Sequence, residues 1–260
     1  MSALDLSDIA AALRTARNEC KPIDAPTKKW PSLDAEGAFQ VQKINSDFAV
    51  KNGDRLVGYK LGNIARVMQV AFGLDHPDYG FLHAKTFHYE GSPIHLNQFI
   101  KPFVELEPAF VLKGALKGPN VTVTDVISAV DYVVPAIEII DSRVKNWAID
   151  LPDTLADNGS NGGVILGGTP KKVFDLNLSN TRGILRFNGV DVMTGNTRNV
   201  LGNPLAGVAW LVNRLSAYDI EFQAGQIILP GSCLEAVPMD KPGRWSCEFE
   251  GWGTIEFDVV

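Results

Sequence analysis

Three glutamates carry the strongest chemical signal in this 260-residue chain. Glu105 and Glu107 lie in Pro102-Phe-Val-Glu-Leu-Glu-Pro-Ala-Phe-Val-Leu112, a run that reads as a strand. Residues two apart on a strand share a face, so both carboxylates point the same way while Val104 and Leu106 point the other. Glu138 lies in Val133-Val-Pro-Ala-Ile-Glu-Ile-Ile140, which is too apolar for a surface strand. Buried like charges repel and are costly to desolvate unless paired, and a divalent cation meets both problems. Three oxygen donors with no His or Cys in these runs suit a hard ion, Mg²⁺ or Mn²⁺. On spacing alone the alternative stays open that Glu105 and Glu107 form an exposed strand face with lysine partners, since Glu-x-Glu is a weak pattern.

Lys60 ends a short apolar run, Leu56 to Gly62, just before a predicted helix capped by Asn63 and striped by Ile64, Val67, Met68 and Ala71. A lysine at a helix N-terminus makes a seat for a substrate carboxylate or enolate, and beside a cation its pKa can be depressed so that it serves as a base. The competing reading is a strand-end lysine with its amine in water. Asp78, in Leu74-Asp-His-Pro-Asp-Tyr-Gly80, is a candidate acid/base or a turn-former. Arg143 can bind a carboxylate through its fork, or pair with Asp141 or Asp157. The stretch Asp153 to Gly163 reads as a polar, glycine-rich loop, for binding or plain connection. The four histidines are not spaced as metal ligands, and Cys20, Cys233 and Cys247 read as inert thiols.

The elements that must position these groups are legible from periodicity and breakers. Ser7 opens a helix with Ile9, Ala12, Leu13 and Ala16 on one side; Pro22 and the Pro26 to Pro31 stretch break it. Ser32 or Asp34 caps a second helix with Ala38, Val41, Asn45 and Phe48 on one stripe, ended by Asn52-Gly53. Strands are expected over 103–112, 133–140, 164–166, 226–229, 245–249 and 254–259, and Asn188-Gly189 marks a hairpin within 184–193. Asn203-Pro204 opens a helix carrying Val208, Leu211, Val212 and Leu215. The reading is α+β: a helical N-terminal part, 1–55, packed on a mixed β-sheet core, 56–260, that works as a single functional unit.

Composition narrows the function. The formal net charge is −6 with no basic run, which argues against nucleic acid as a partner. No apolar stretch is long enough to span a membrane, and the N-terminus has no basic start of the secretory kind. Three cysteines without metal spacing fit a reduced, cytoplasmic protein.

Taken in order, Gly58-Tyr-Lys-Leu-Gly62, Pro77-Asp-Tyr-Gly80, Val104 to Leu112, Pro135-Ala-Ile-Glu-Ile-Ile-Asp-Ser-Arg143, Ala156-Asp-Asn-Gly-Ser160, Leu201-Gly-Asn-Pro204 and Ala224-Gly-Gln-Ile-Ile-Leu-Pro-Gly-Ser232 resemble the 2-keto-4-pentenoate hydratase and 4-oxalocrotonate decarboxylase family. That resemblance, running from about Pro31 to Val260, implies the rolled mixed β-core of the fumarylacetoacetate hydrolase superfamily. It implies a small 2-keto or dienol acid substrate, Glu105, Glu107 and Glu138 as ligands of Mg²⁺ or Mn²⁺, and Lys60 and Asp78 as catalytic groups. Asn63, Ser160 and Ser232, with Arg143, are the expected substrate contacts. The chain departs from the family at Asn63-Ile64-Ala65, where Thr and Ser are usual, and at Phe103, Asn203 and Leu229-Pro230. Hydration of a 2-hydroxy-2,4-dienoate is the expected reaction. The alternatives are decarboxylation of a 2-keto-3-enedioate and a non-catalytic keto-acid-binding homologue or partner subunit. The resemblance also implies a homo-oligomer, and pairing with a pathway enzyme is a further expectation.

Overall fold

The computed structural model describes residues 5–64 and 76–260. The helix expected after Asn63 therefore lies outside the described residues, apart from its first two positions. The first helices are α1 (Leu6–Glu19), α2 (Pro26–Lys29) and α3 (Ala35–Lys51). Asp5, not Ser7, caps α1: its side chain accepts the Ser7 N–H at 2.9 Å. Asp34 caps α3 in the same way through Gly37. The proline stretch expected only to break structure holds α2, a single turn with Pro26 at its first position, where the missing N–H costs nothing.

Twelve described strands follow. The first are β1 (Leu56–Gly62), β2 (Asp78–His83), β3 (Phe87–His88) and β4 (Phe103–Leu112). Helix α4 (Val123–Ala129) feeds β5 (Val130–Ile140), and α5 (Leu151–Ala156) feeds β6 (Asn161–Leu166). Then come β7 (Arg182–Phe187), β8 (Val190–Asn196), α6 (Pro204–Leu215), β9 (Ile227–Leu229), β10 (Val237–Pro238), β11 (Gly243–Phe249) and β12 (Gly253–Val259). The stretch expected as a loop over 153–163 is thus mostly ordered. Asp150 and Asp153 form a capping box on α5, and Asn158–Ser160 make one tight turn before β6. Asn188 and Gly189, at φ 50° and 79°, form the two-residue turn between β7 and β8.

The strands form two sheets. The large one runs β2-β1-β9-β4-β5-β6-β3, with β10 added on β4; the small one runs β12-β11-β7-β8. Most neighbours are antiparallel, while β1–β9 and β3–β6 are parallel. Gly58 is required at the β1–β9 crossing, because a Cβ there would stand 1.9 Å from the Ile227 carbonyl oxygen. The central pair is β4–β5, in register from Phe103 opposite Ile140 onward.

That register sorts the side chains by face. Leu106, Phe110, Ile137 and Ile139 enter the main core, which also takes Ile9, Leu13, Phe39 and Val41 of α1 and α3 and the apolar face of α6. The other face carries Glu105, Glu107 and Glu138 above a separate small apolar layer of Leu82, Ala109, Val134, Ala136, Val164 and Leu229. The glutamates therefore sit on dry ground, not on a wet strand face. No helix among the described residues is long and apolar enough to cross a membrane.

Candidate metal centre and active site

Glu105 lies directly opposite Glu138 across β4–β5, and Glu107 follows one step along the same face. One carboxylate oxygen from each of the three lies within 4.8 Å of the others. Glu107 and Glu138 have no exposed surface. Burial first, and then the neighbouring carboxylates, push Glu105 up to about 8 and Glu107 well above the usual range. Glu138 is also raised by burial, with Lys60 and Asn161 pulling the other way.

The donors left over decide what this cluster suits. Gly231 donates its backbone N–H to Glu107 Oε2 at 2.7 Å, and Asn161 Nδ2 donates to Glu138 Oε1 at 3.0 Å. Glu107 Oε1 and Glu138 Oε2 are buried without a hydrogen-bond partner. Buried oxygens without partners are rare and costly. All-oxygen donors, converging and unsatisfied, fit a hard divalent ion with room for water or substrate. The exposed-face alternative for Glu105 and Glu107 does not hold, and no histidine joins the cluster among the described residues.

Lys60 is brought here by β1. It is 2% exposed, against the usual fate of lysine. Its Nζ donates to the Gly159 carbonyl at 2.8 Å and lies 3.4 Å from Glu138 Oε1 and 4.0 Å from Asp78 Oδ1. Burial alone would lower its pKa, but Glu138, Asp78, Glu105 and Glu107 outweigh that and raise it. The amine is thus held as an ammonium.

Asp78 begins β2, opposite Gly62. Its Oδ2 accepts from Thr154 Oγ1 at 2.6 Å and from Asn63 Nδ2 at 2.7 Å. Its Oδ1 is buried with no hydrogen-bond partner and faces Lys60. The amine and this carboxylate are packed between glycines. A Cβ on Gly62 would stand 2.3 Å from Asp78 Oδ1 and 2.9 Å from Lys60 Nζ, and one on Gly159 would stand 3.3 Å from that nitrogen.

The expected substrate contacts divide. Asn63 orients Asp78. Ser160 sits between Gly159 and Asn161 at φ 55°, with its buried Oγ free of hydrogen bonds. The Ser232 hydroxyl instead donates to the Leu234 carbonyl at 2.8 Å, so it serves its own turn, and the loop meets the carboxylates through Gly231. Arg143 is corrected to a structural group. Its Nε donates to Asp157 Oδ1 at 2.5 Å, and its other nitrogens donate to the carbonyls of Asp141, Asn161 and Asp157. Four of its five N–H groups are thereby taken inside the protein.

Two relatives and one solved structure are similar to the chain over nearly its whole length. No protein-family model matches the chain. The chain is 39% identical over 258 residues to the 2-oxo-hept-4-ene-1,7-dioate hydratase of Escherichia coli, covering 97% of each. It is 35% identical to the 2-keto-4-pentenoate hydratase of Burkholderia vietnamiensis, over 96% of this chain and 95% of that one. The chain belongs to the 2-keto-4-pentenoate hydratase family. A solved 4-oxalocrotonate decarboxylase from Pseudomonas putida G7, complexed with magnesium and adipate, superposes with a TM-score of 0.94 at 30% identity over 99% of both chains. For this hydratase-family chain the geometry adds four groups to those expected from sequence: Thr154, Asn161, the Gly159 carbonyl and the Gly231 N–H. Thr154, Gly159 and Asn161 all lay in the 153–163 stretch already marked as polar, but Thr154 was not singled out within it, because only the fold brings α5 beside β2.

Proposed function

We propose that this chain is a divalent-metal-dependent hydro-lyase that adds water to a 2-hydroxy-2,4-dienoate, giving a 4-hydroxy-2-keto acid. The observation that carries the reading is the converging triad of half-buried Glu105 with fully buried Glu107 and Glu138, the latter two each with an unsatisfied oxygen, beside the Lys60–Asp78 pair. The three glutamates would hold Mg²⁺ or Mn²⁺. When bound, such an ion supplies Lewis-acid stabilisation of negative charge on the substrate's carboxylate and C2 oxygen.

The protein's own groups supply the rest. Overall, the C2 hydroxyl loses its proton and C5 gains one; the resulting 2-keto-3-enoate then takes hydroxyl at C4 and hydrogen at C3. Lys60, held charged, is suited to pin an oxyanion. Asp78 is suited to accept one at Oδ1, the oxygen that Thr154 and Asn63 leave untouched. Gly62 and Gly159 close the space around the pair, so the two groups keep their relative position. The small apolar layer beneath the glutamates keeps bulk water from that side. Ser160 is the remaining substrate contact in this reading, and a homo-oligomer in the cytoplasm belongs to it as well.

Decarboxylation is the second reading, favoured by the superposition on a decarboxylase. The two separate in one assay. With Mg²⁺ present, 2-hydroxypenta-2,4-dienoate should lose its conjugated absorbance with no CO₂ formed. Stoichiometric CO₂ from an oxalocrotonate-type substrate, without hydration, would move the chain to the decarboxylases. Turnover of neither would favour a binding protein.

A further inference from the structure

A cavity of about 360 Å³ lies outside the metal centre, between α1, α3 and the end of β2. Arg14 and Arg17, one turn apart on α1, both line it. Among the described residues neither guanidinium has a carboxylate within ion-pair reach. Arg14 donates to Asn45 Oδ1 at 2.6 Å and lies over the Phe48 ring at 4.1 Å. Arg17 makes only long bonds, to the Asn161 and Gly162 carbonyls at 3.5 and 3.3 Å. Arg143 and Asp157 also line the wall but neutralise each other. Lys85 on the rim and Asp54 complete the charges, which leaves the cavity with an excess of two positive charges.

Like charges converging without a counter-ion raise the free energy of the empty site. Burial, and then Arg143, bring Arg17 down to about 10. Two more polar atoms of lining residues are buried with no hydrogen-bond partner, Gln42 Oε1 and His83 Nδ1. Gln42 Oε1 can only accept. Leu13, Phe48, Ala49 and Ala156 give the remaining wall an apolar patch among neutral polar residues such as Ser46 and Asn52. Phe48, expected on the buried stripe of its helix, is 44% exposed here.

We propose that this cavity is a second ligand site, for a small hydroxycarboxylate: the carboxylate on Arg17 and Arg14, the hydroxyl toward Gln42, the carbon chain against Leu13 and Phe48. An inorganic anion would leave the apolar wall and the Gln42 acceptor unmatched. The site does not rest on the hydratase reading. It backs onto the 157–161 segment, whose far side holds Lys60 through Gly159 and Glu138 through Asn161.

Calorimetric titration with 4-hydroxybutyrate tests it, because this probe lacks the 2-keto oxygen needed to chelate an ion at the glutamates. The intact protein with Mg²⁺ should bind one equivalent per chain, and butyrate should bind more weakly. Glu107→Gln should bind the probe as the wild type does. Arg17→Met should weaken binding at least about tenfold, the usual effect of removing a charged hydrogen bond. Lys85→Ala, at an exposed rim position where the amine's one hydrogen bond is to the Asn52 carbonyl, should weaken it by a smaller factor. No binding to the wild type, unchanged binding in both Arg17→Met and Lys85→Ala, or loss of binding in Glu107→Gln would each overturn the proposal. A cavity closed by a second copy of the chain would give the first of these.

Discussion

Glu105 and Glu138 stand directly opposite each other on neighbouring antiparallel strands, on a face otherwise lined by Ala109, Val134, Ala136 and Val164. Like charges in that position destabilise a sheet. Their placement makes physical sense only if something positive sits between them.

The first prediction follows from that repulsion. In EDTA-treated protein, stability should fall as pH rises. Glu105 is raised from 4.5 to about 8, so the folded state keeps a proton that the unfolded chain releases. The favourable contribution is complete below 4.5 and is lost progressively as pH climbs to about 8. Melting temperatures across this window should decline without Mg²⁺ and flatten with it. A melting temperature that rises across the window in EDTA would contradict the burial of the cluster.

Saturating ion should stabilise the fold. At one hundred times Kd the gain is about 2.7 kcal/mol, or roughly 5–10 °C in Tm for a chain of this size. Glu107→Gln should remain folded and lose most of that gain. An equal rise in the variant would remove Glu107 from the ion site.

Lys60→Ala should lower kcat/KM by about 10²–10⁴-fold in the folded protein, and should also lower Tm because buried Glu138 loses its partner. Lys60→Arg should not restore it. Gly62 and Gly159 crowd the amine, so a guanidinium has no room there. Near-normal activity in Lys60→Ala would reduce this group to a buried counter-charge.

Thr154 is predicted to act through Asp78. Thr154→Val keeps the shape and removes the 2.6 Å hydrogen bond to Asp78 Oδ2. A hydrogen bond to a charged group is worth about 1.5–3 kcal/mol, so kcat should drop roughly 10–100-fold with a smaller change in KM. Thr154→Ser should recover most of it. If Thr154→Val changed only Tm, Thr154 would be a packing residue.

Arg143→Met should damage folding, not substrate affinity. Breaking a buried ion pair costs about 3–5 kcal/mol, because Asp157 is left charged and alone. A stable variant with a raised KM would return Arg143 to the substrate.

How much of this was legible in the sequence follows from the range of each interaction. The glutamates stood out because charge in apolar strands needs a partner and period-two alternation put Glu105 and Glu107 on one face, but an exposed face stayed open until the register set Glu138 opposite Glu105. Helix α6 and the β7–β8 turn were readable because Asn203-Pro204 and Asn188-Gly189 act locally. Arg143 offered two partners in sequence, and only the approach of Asp157 decided between them. The loop expected over 153–163 became α5 and β6, since only Asn158 and Gly159 serve the tight turn at Asn158–Ser160, while Asn161, Gly162 and Gly163 enter β6. Thr154 could not be singled out, because its role depends on contact with a residue 76 positions away.

The most direct test of the account is oxygen transfer from labelled water. Purified protein with Mg²⁺ and 2-hydroxypenta-2,4-dienoate in H₂¹⁸O should give a 4-hydroxy-2-keto acid carrying the label at C4. Incorporation should require Mg²⁺ or Mn²⁺ and be greatly reduced in Glu107→Gln, with no CO₂ released. Labelled product formed equally well in EDTA, or substrate consumed with CO₂ release and no C4 hydroxyl, would contradict it.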